Sequence, residues 1–109
     1  MEYFAAKLTD LKQKQKMTLK INNLPILLAY TSKGIFAVRD KCPHMGSPIS
    51  SGVLENEIIT CKFHGLPISL ETGEVANSKK ADSLRLDEYS RSIRKYEISI
   101  KEDSVYIII

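Results

Sequence analysis

Apolar residues recur along this chain in short runs of three to seven, separated by turn-forming residues and with little helical periodicity. Glu2 to Lys7 reads as a first strand, followed by a brief helical turn at Thr9 to Lys12. Met17 to Ile21 and Leu24 to Tyr30 flank Asn22-Asn23, the two-residue spacing of a tight hairpin turn. Ile35 to Val38 follows the turn signal Ser32-Lys33-Gly34. Short strands fit Gly52-Leu54 and Ile58-Thr60, and Ile68-Leu70 with Glu74-Ala76 predicts a hairpin around Thr72-Gly73. Lys95 to Ile100 and Val105 to Ile109 form a last pair joined by a polar turn at Lys101 to Ser104. Many short strands at regular turn spacing predict an all-β sandwich or barrel. The stretch Asn77 to Arg91 breaks the pattern and is expected to be a solvent loop or a helical turn near Ser83 to Tyr89.

Composition narrows this picture modestly. A length of 109 residues suits one domain with a single modest core, taken here as residues 1–109. Hydrophobic residues make up 43% and charged residues 27%, which is ordinary for a globular protein. No apolar run approaches the roughly 20 residues of a membrane span, and the start MEYFAAKLTD lacks a signal peptide's basic-then-apolar order. A cytoplasmic protein with no membrane span is expected. The formal charge of +3 is too mild to support a nucleic-acid partner. Lys12, Lys14 and Lys16 alternate with glutamine, so an extended segment would put three amines on one side; a solvated strand edge is the expectation.

Both cysteines and both histidines fall between Cys42 and His64, in two short pairs of matched order. Cys42-Pro43-His44 is a C-x-H, and after sixteen intervening residues Cys61-Lys62-Phe63-His64 is a C-x-x-H. Two thiols and two imidazoles so grouped in a cytosolic-looking chain favour a metal site over a disulfide. Zinc accepts a Cys2His2 set, although its paired ligands usually stand two to four residues apart. A two-iron, two-sulfide cluster with thiolates on one iron and imidazoles on the other also fits, because each short pair would then reach across the cluster.

The order and spacing of these four residues resemble the Rieske signature. Pro43, Gly46 and Pro48 around the first pair, Gly52 and Leu54 before the second, and Gly65 after it resemble it as well. Thr72-Gly73-Glu74 sits where Rieske ferredoxins carry a T-G-E hairpin. The resemblance implies an all-β, Rieske-like antiparallel sandwich or barrel with a two-loop cluster-binding subdomain inserted at about residues 40–76. It implies one [2Fe-2S] cluster per chain, held by Cys42, His44, Cys61 and His64. Gly46 and Gly65 are expected to let backbone N–H groups approach the sulfides, and Pro43 and Pro48 to stiffen the first loop. The imidazole edges are expected at the surface, ringed by Met45, Leu66 and Pro67. High-potential members carry a hydroxyl after the second-loop glycine, a tyrosine two residues on, and an extra cysteine pair. Those positions are Leu66 and Ile68 here, and no further cysteine exists. A low-potential, ferredoxin-type centre follows.

The function so implied is a one-electron carrier passing electrons from a reductase to an oxygenase or another terminal redox enzyme. It would be an electron-transfer protein and not itself an enzyme. A Rieske subunit of a larger oxidoreductase complex is the alternative. A catalytic oxygenase would need a second His/carboxylate set for its mononuclear iron, and both histidines are already used.

Overall fold

The computed structural model describes residues 1–43, 46–62, 65–77, 79, 82 and 91–109. Its first strand, β1 (Glu2–Lys7), runs into a short helix, α1 (Leu8–Lys14). Then come β2 (Lys16–Ile21), β3 (Leu24–Thr31), β4 (Gly34–Arg39), one 3-10 turn at Ile49–Ser51, β5 (Val53–Glu55), β6 (Ile58–Thr60) and β7 (Pro67–Ser69). The last strands are β8 (Lys95–Lys101) and β9 (Ser104–Ile108). All pairings are antiparallel, in a six-stranded sheet ordered β1-β9-β8-β4-β3-β2 and a three-stranded sheet ordered β5-β6-β7. The expected all-β architecture is the one observed.

Strand β3 shows how the sequence builds two cores at once. Its run Ile26-Leu27-Leu28-Ala29 is fully buried, and successive side chains point to opposite faces. Ile26 and Leu28 enter a core with Leu11, Ala37, Val105 and Ile107. Leu27 and Ala29 enter a second core with Val38, Ile49, Ile59, Leu66, Ile68 and both cysteines. Strand β4 does the same, with Ala37 on one side and Val38 on the other. The continuous apolar run is therefore a strand buried on both faces, a wall between scaffold and site. Each fully buried Leu or Ile contributes roughly 1.5–3 kcal/mol relative to exposure.

Turn chemistry fixes the register. Asn22 and Asn23 both hold positive φ, 52° and 65°, the conformation a two-residue hairpin with the strands' own twist requires. Strand pairing then runs from Ile21↔Leu24 to Lys16↔Ala29 without interruption.

The segment after β1 is more helical than its sequence predicts. The helix covers Leu8–Lys14, not only Thr9 to Lys12. Leu8 N–H donates to the Asp103 carbonyl at 2.8 Å, and Thr9 N–H donates to the Asp103 carboxylate at 3.1 Å. These bonds satisfy N–H groups that a helix start leaves open. Leu11, fully buried, is the side chain that holds the helix down. The extended lysine comb is consequently not formed. Lys12 and Lys14 belong to the helix, while Lys16 opens β2 and turns inward.

The hairpin around Thr72-Gly73 forms, but its return arm is a single bridge, Ile68↔Val75. It is closed by Gly73 N–H donating to Ser69 O and Ser69 N–H donating to Glu74 O. The helical turn expected near Ser83 to Tyr89 lies outside the described residues. Strand β9 takes up the apolar C-terminal run, with Val105 and Ile107 fully buried. Among the described residues no helix is long and apolar enough to cross a membrane.

Candidate metal centre

The first loop leaves β4 at Arg39 and reaches Cys42 through Asp40 and Lys41; the second lies between β6 and β7. Both cysteines are 1% exposed, remain thiols without a disulfide, and sit in the same apolar cluster. His44 and His64 lie outside the described residues, as do Met45 and Phe63. The structure thus brings Cys42 and Cys61 together in one core.

The two loops close in the same way. Gly46 N–H donates to the Cys42 carbonyl at 2.8 Å, and Gly65 N–H donates to the Cys61 carbonyl at 2.9 Å. Cys42 N–H donates to Ser47 O at 2.6 Å, and Cys61 N–H donates to Leu66 O at 2.9 Å. In each loop the cysteine's carbonyl accepts from the residue four ahead, and its N–H donates to the residue five ahead. Both glycines have positive φ, 77° and 65°, which explains why glycine stands there. Their own N–H groups are spent on cysteine carbonyls, so the glycines act by shaping the loops.

Leu66 does not join a surface rim as expected. It is fully buried beside the cysteines, because the Cys61–Leu66 bond folds the chain back into the core. Ile68 is fully buried as well. Pro67 opens β7 and is half-buried.

Polar anchors that the sequence did not single out hold the first loop. Asp40 is 7% exposed and accepts from Ser50 N–H at 2.9 Å and Ser50 Oγ at 2.7 Å. Lys16 Nζ donates to Ser50 O and Gly52 O, both at 2.8 Å. One carboxylate and one ammonium thus grip the 3-10 turn from two sides. A signal was present in the Asp two residues before Cys42, but nothing in the sequence pairs it with Ser50.

On the other side, Lys33 reaches the three-stranded sheet through Glu57 at 3.3 Å and Glu71 at 3.4 Å. Its amine is held above the ordinary lysine value, first by the hydrogen bond to Glu57 and then by that to Glu71. Lys95 Nζ adds a hydrogen bond to the Glu71 carbonyl.

The donor set suits an iron–sulfur group, and one orphaned atom supports that fit. Ser47 Oγ is buried and has no hydrogen-bond partner among the described residues. An unpaired buried hydroxyl costs about 1–3 kcal/mol. The sulfur of a bound cluster is an acceptor that would relieve this cost, and Ser47 stands in the loop that carries Cys42.

Comparison with known proteins agrees with this geometry. The Rieske [2Fe-2S] domain family matches residues 1–97. Apoptosis-inducing factor 3 of Homo sapiens is 28% identical over 98 residues, 90% of this chain, and the match spans 15% of that protein's length. Ferredoxin CarAc of Metapseudomonas resinovorans is 26% identical over 88 residues, covering 81% of this chain and 74% of CarAc. A solved complex of reduced oxygenase and oxidized ferredoxin in carbazole 1,9a-dioxygenase contains a chain that superposes with TM-score 0.79. That superposition covers 97% of this chain and 91% of the other at 21% identity, a likeness of fold. With the family matched over most of its length, the chain belongs to the Rieske [2Fe-2S] domain family, and this membership implies one [2Fe-2S] cluster per chain.

Proposed function

We propose that this protein is a one-electron carrier whose cluster is held by Cys42 and Cys61 through thiolate and by His44 and His64 through imidazole. The observation that supports this best is the matched closure of the two loops around two buried cysteines in one apolar core. When bound, such a cluster supplies a single reversible one-electron step. The chain's own part is to hold and to shield. The paired loop bonds fix the cysteine backbones, Leu66, Ile68 and Ile49 exclude water behind them, and Asp40 and Lys16 keep the first loop from shifting between oxidation states.

The carrier works at the low end of the window for Rieske centres, about −150 to +300 mV. Leu66 and Ile68 are buried hydrocarbons, so neither donates a hydrogen bond that would stabilise the reduced state. The whole of 1–109 acts as one domain, with the cluster-binding subdomain at about residues 40–76. Its partners are a reductase and a terminal oxygenase or oxidase; the carbazole 1,9a-dioxygenase complex, which pairs an oxygenase with a ferredoxin, supports the oxygenase side. It is a cytoplasmic electron-transfer protein and not an enzyme.

A second reading has an observation behind it. The match to apoptosis-inducing factor 3 spans 15% of that protein, so a related stretch also occurs as one part of a larger chain. Elution as an isolated monomer from its native cell supports the mobile carrier; co-elution with a large subunit supports the alternative.

The deciding experiment is electron paramagnetic resonance on dithionite-reduced protein, with iron, sulfide and zinc assayed on the same sample. A rhombic signal with average g below that of all-cysteine clusters is expected. Stoichiometric zinc without sulfide would end the carrier reading.

A further inference from the structure

Three of the described cations form ion pairs within the molecule. Lys33 meets Glu57 and Glu71, Arg91 meets Asp82, and Lys101 meets Glu2. Arg39, Lys41 and Arg94 are set apart by their place. They wall a cleft of about 410 Å³ whose floor includes Cys42, Pro43 and Gly46 of the first cluster loop. Among the described residues no carboxylate pairs with any of the three.

The two guanidinium groups are organised by one side chain. Tyr96 is 7% exposed and takes a hydrogen bond from Arg39 Nε at 3.0 Å. The Arg94 guanidinium lies 5.5 Å from the centroid of the same ring. Arg39 N–H also donates to the Arg94 carbonyl at 2.8 Å, so the two residues sit on chain segments tied to each other. Holding two like charges together costs Coulomb energy, and among the described residues no carboxylate offsets it. Guanidinium forks match carboxylates in a fixed plane, and pre-set forks lose less entropy on binding.

We propose that this cleft seats a carboxylate-rich patch of the electron-transfer partner, bringing it against the first cluster loop. The proposal rests on the carrier reading above. Lys41 and Arg94 are exposed, which suits a surface that meets another surface more than an enclosed small-molecule site. Complementary charge at such a place raises the encounter rate and sets the orientation in which the electron passes.

The test uses the cluster-loaded protein, reduced, and two one-electron oxidants of opposite charge. Iron(III)–EDTA is an anionic carboxylate chelate and tris(phenanthroline)cobalt(III) is a cation. In each reaction the protein loses one electron and the probe's metal falls from the +3 to the +2 state. At low salt, Lys41→Glu with Arg94→Glu should slow the anionic oxidant about tenfold or more. The cationic oxidant should hold its rate or gain. The same charge change at two remote exposed lysines, Lys7→Glu with Lys12→Glu, should alter the anionic rate less than about twofold. High salt should erase the difference. An equal effect from the remote pair, or an equal loss with both oxidants, would overturn the proposal.

Fluorescein-labelled hexaglutamate, followed by anisotropy on the same samples, separates this proposal from the carrier reading because it needs no electron. Binding weakened by the cleft pair and not by the remote pair supports the seat, even in a preparation without a paramagnetic signal. A response with iron(III)–EDTA alone would make the cleft a small-anion site and sink the docking surface.

Discussion

The two cysteine loops share one backbone solution and differ in what stands behind it. The first is reached from the six-stranded sheet and gripped by buried or half-buried polar groups, Asp40 through Ser50 and Lys16 through two carbonyls. The second is built into the three-stranded sheet, its ends continuing as β6 and β7, and its outer ties are the exposed contacts of Lys33. The first loop owes its position to a few strong, specific bonds. The second owes it to strand pairing and apolar burial. The two sides of one site are thus stiffened by two independent means.

The largest expected effect tests their equality. Cys42→Ser and Cys61→Ser should each abolish cluster retention, read as loss of iron and sulfide and of the paramagnetic signal. Retention by either variant would show that one loop suffices. Next comes the point where the flanks of the loops touch. A Cβ at Gly52 would stand 1.9 Å from the Thr60 carbonyl oxygen, one residue before Cys61. Gly52→Ala should cost about 3 kcal/mol in denaturant unfolding, since backbone must move. At Gly46 the added Cβ meets, among the described residues, only the Lys41 Cε, at 3.2 Å. Gly46→Ala should cost only about 1–2 kcal/mol, the strain of positive φ.

Asp40→Ala should come below Gly52→Ala, at about 1–3 kcal/mol, because it strands the Ser50 donors. Amide exchange should quicken at Ser50 and remain unchanged at Leu66; equal quickening in both loops would erase the distinction drawn above. Ser47→Ala should lower the midpoint potential by about 40 mV, equivalent to roughly 1 kcal/mol of hydrogen bonding that favours the reduced, more negative state. An unchanged potential would mean the hydroxyl does not face the cluster.

The smallest effect is one of pH. The raised Lys33 amine contributes its tether fully below the ordinary value of 10.5, and the contribution is lost as pH rises through the raised folded value. Above that range exchange should quicken at the β5–β6 turn before the first loop responds. The Glu2 carboxyl behaves with the opposite sign. The hydrogen bond from Lys101 holds it below 4.5, so its contribution is present above that value and fades as pH falls through the lowered one. Both groups are exposed, and salt should mute both changes.

Local rules made most of the scaffold legible. The Asn22-Asn23 turn and the strands beside it follow from conformations that few residues tolerate, and the double burial of β3 follows from its unbroken apolar run. The cysteine pairs were legible because their chemistry demands them at close spacing. What escaped was non-local. The helix Leu8–Lys14 is longer than its own residues predict because Asp103, 94 positions from Thr9, meets its first turn. The Asp40–Ser50 bonds join residues ten apart that no local pattern pairs. Leu66 was expected at the rim because sequence spacing does not reveal that Cys61 N–H would draw its carbonyl inward.

The pairing of Glu2 with Ile108 has a consequence for the order in which the chain folds. Strands β5, β6 and β7 lie within residues 53–69, so their hairpins close over short loops and form early. The β1–β9 ribbon joins opposite ends of the chain, and such distant closure is slow. The three-stranded sheet with the Cys61 loop can therefore take shape while the six-stranded sheet is still open. Fraying of β1 would then be the first step in the chain's undoing.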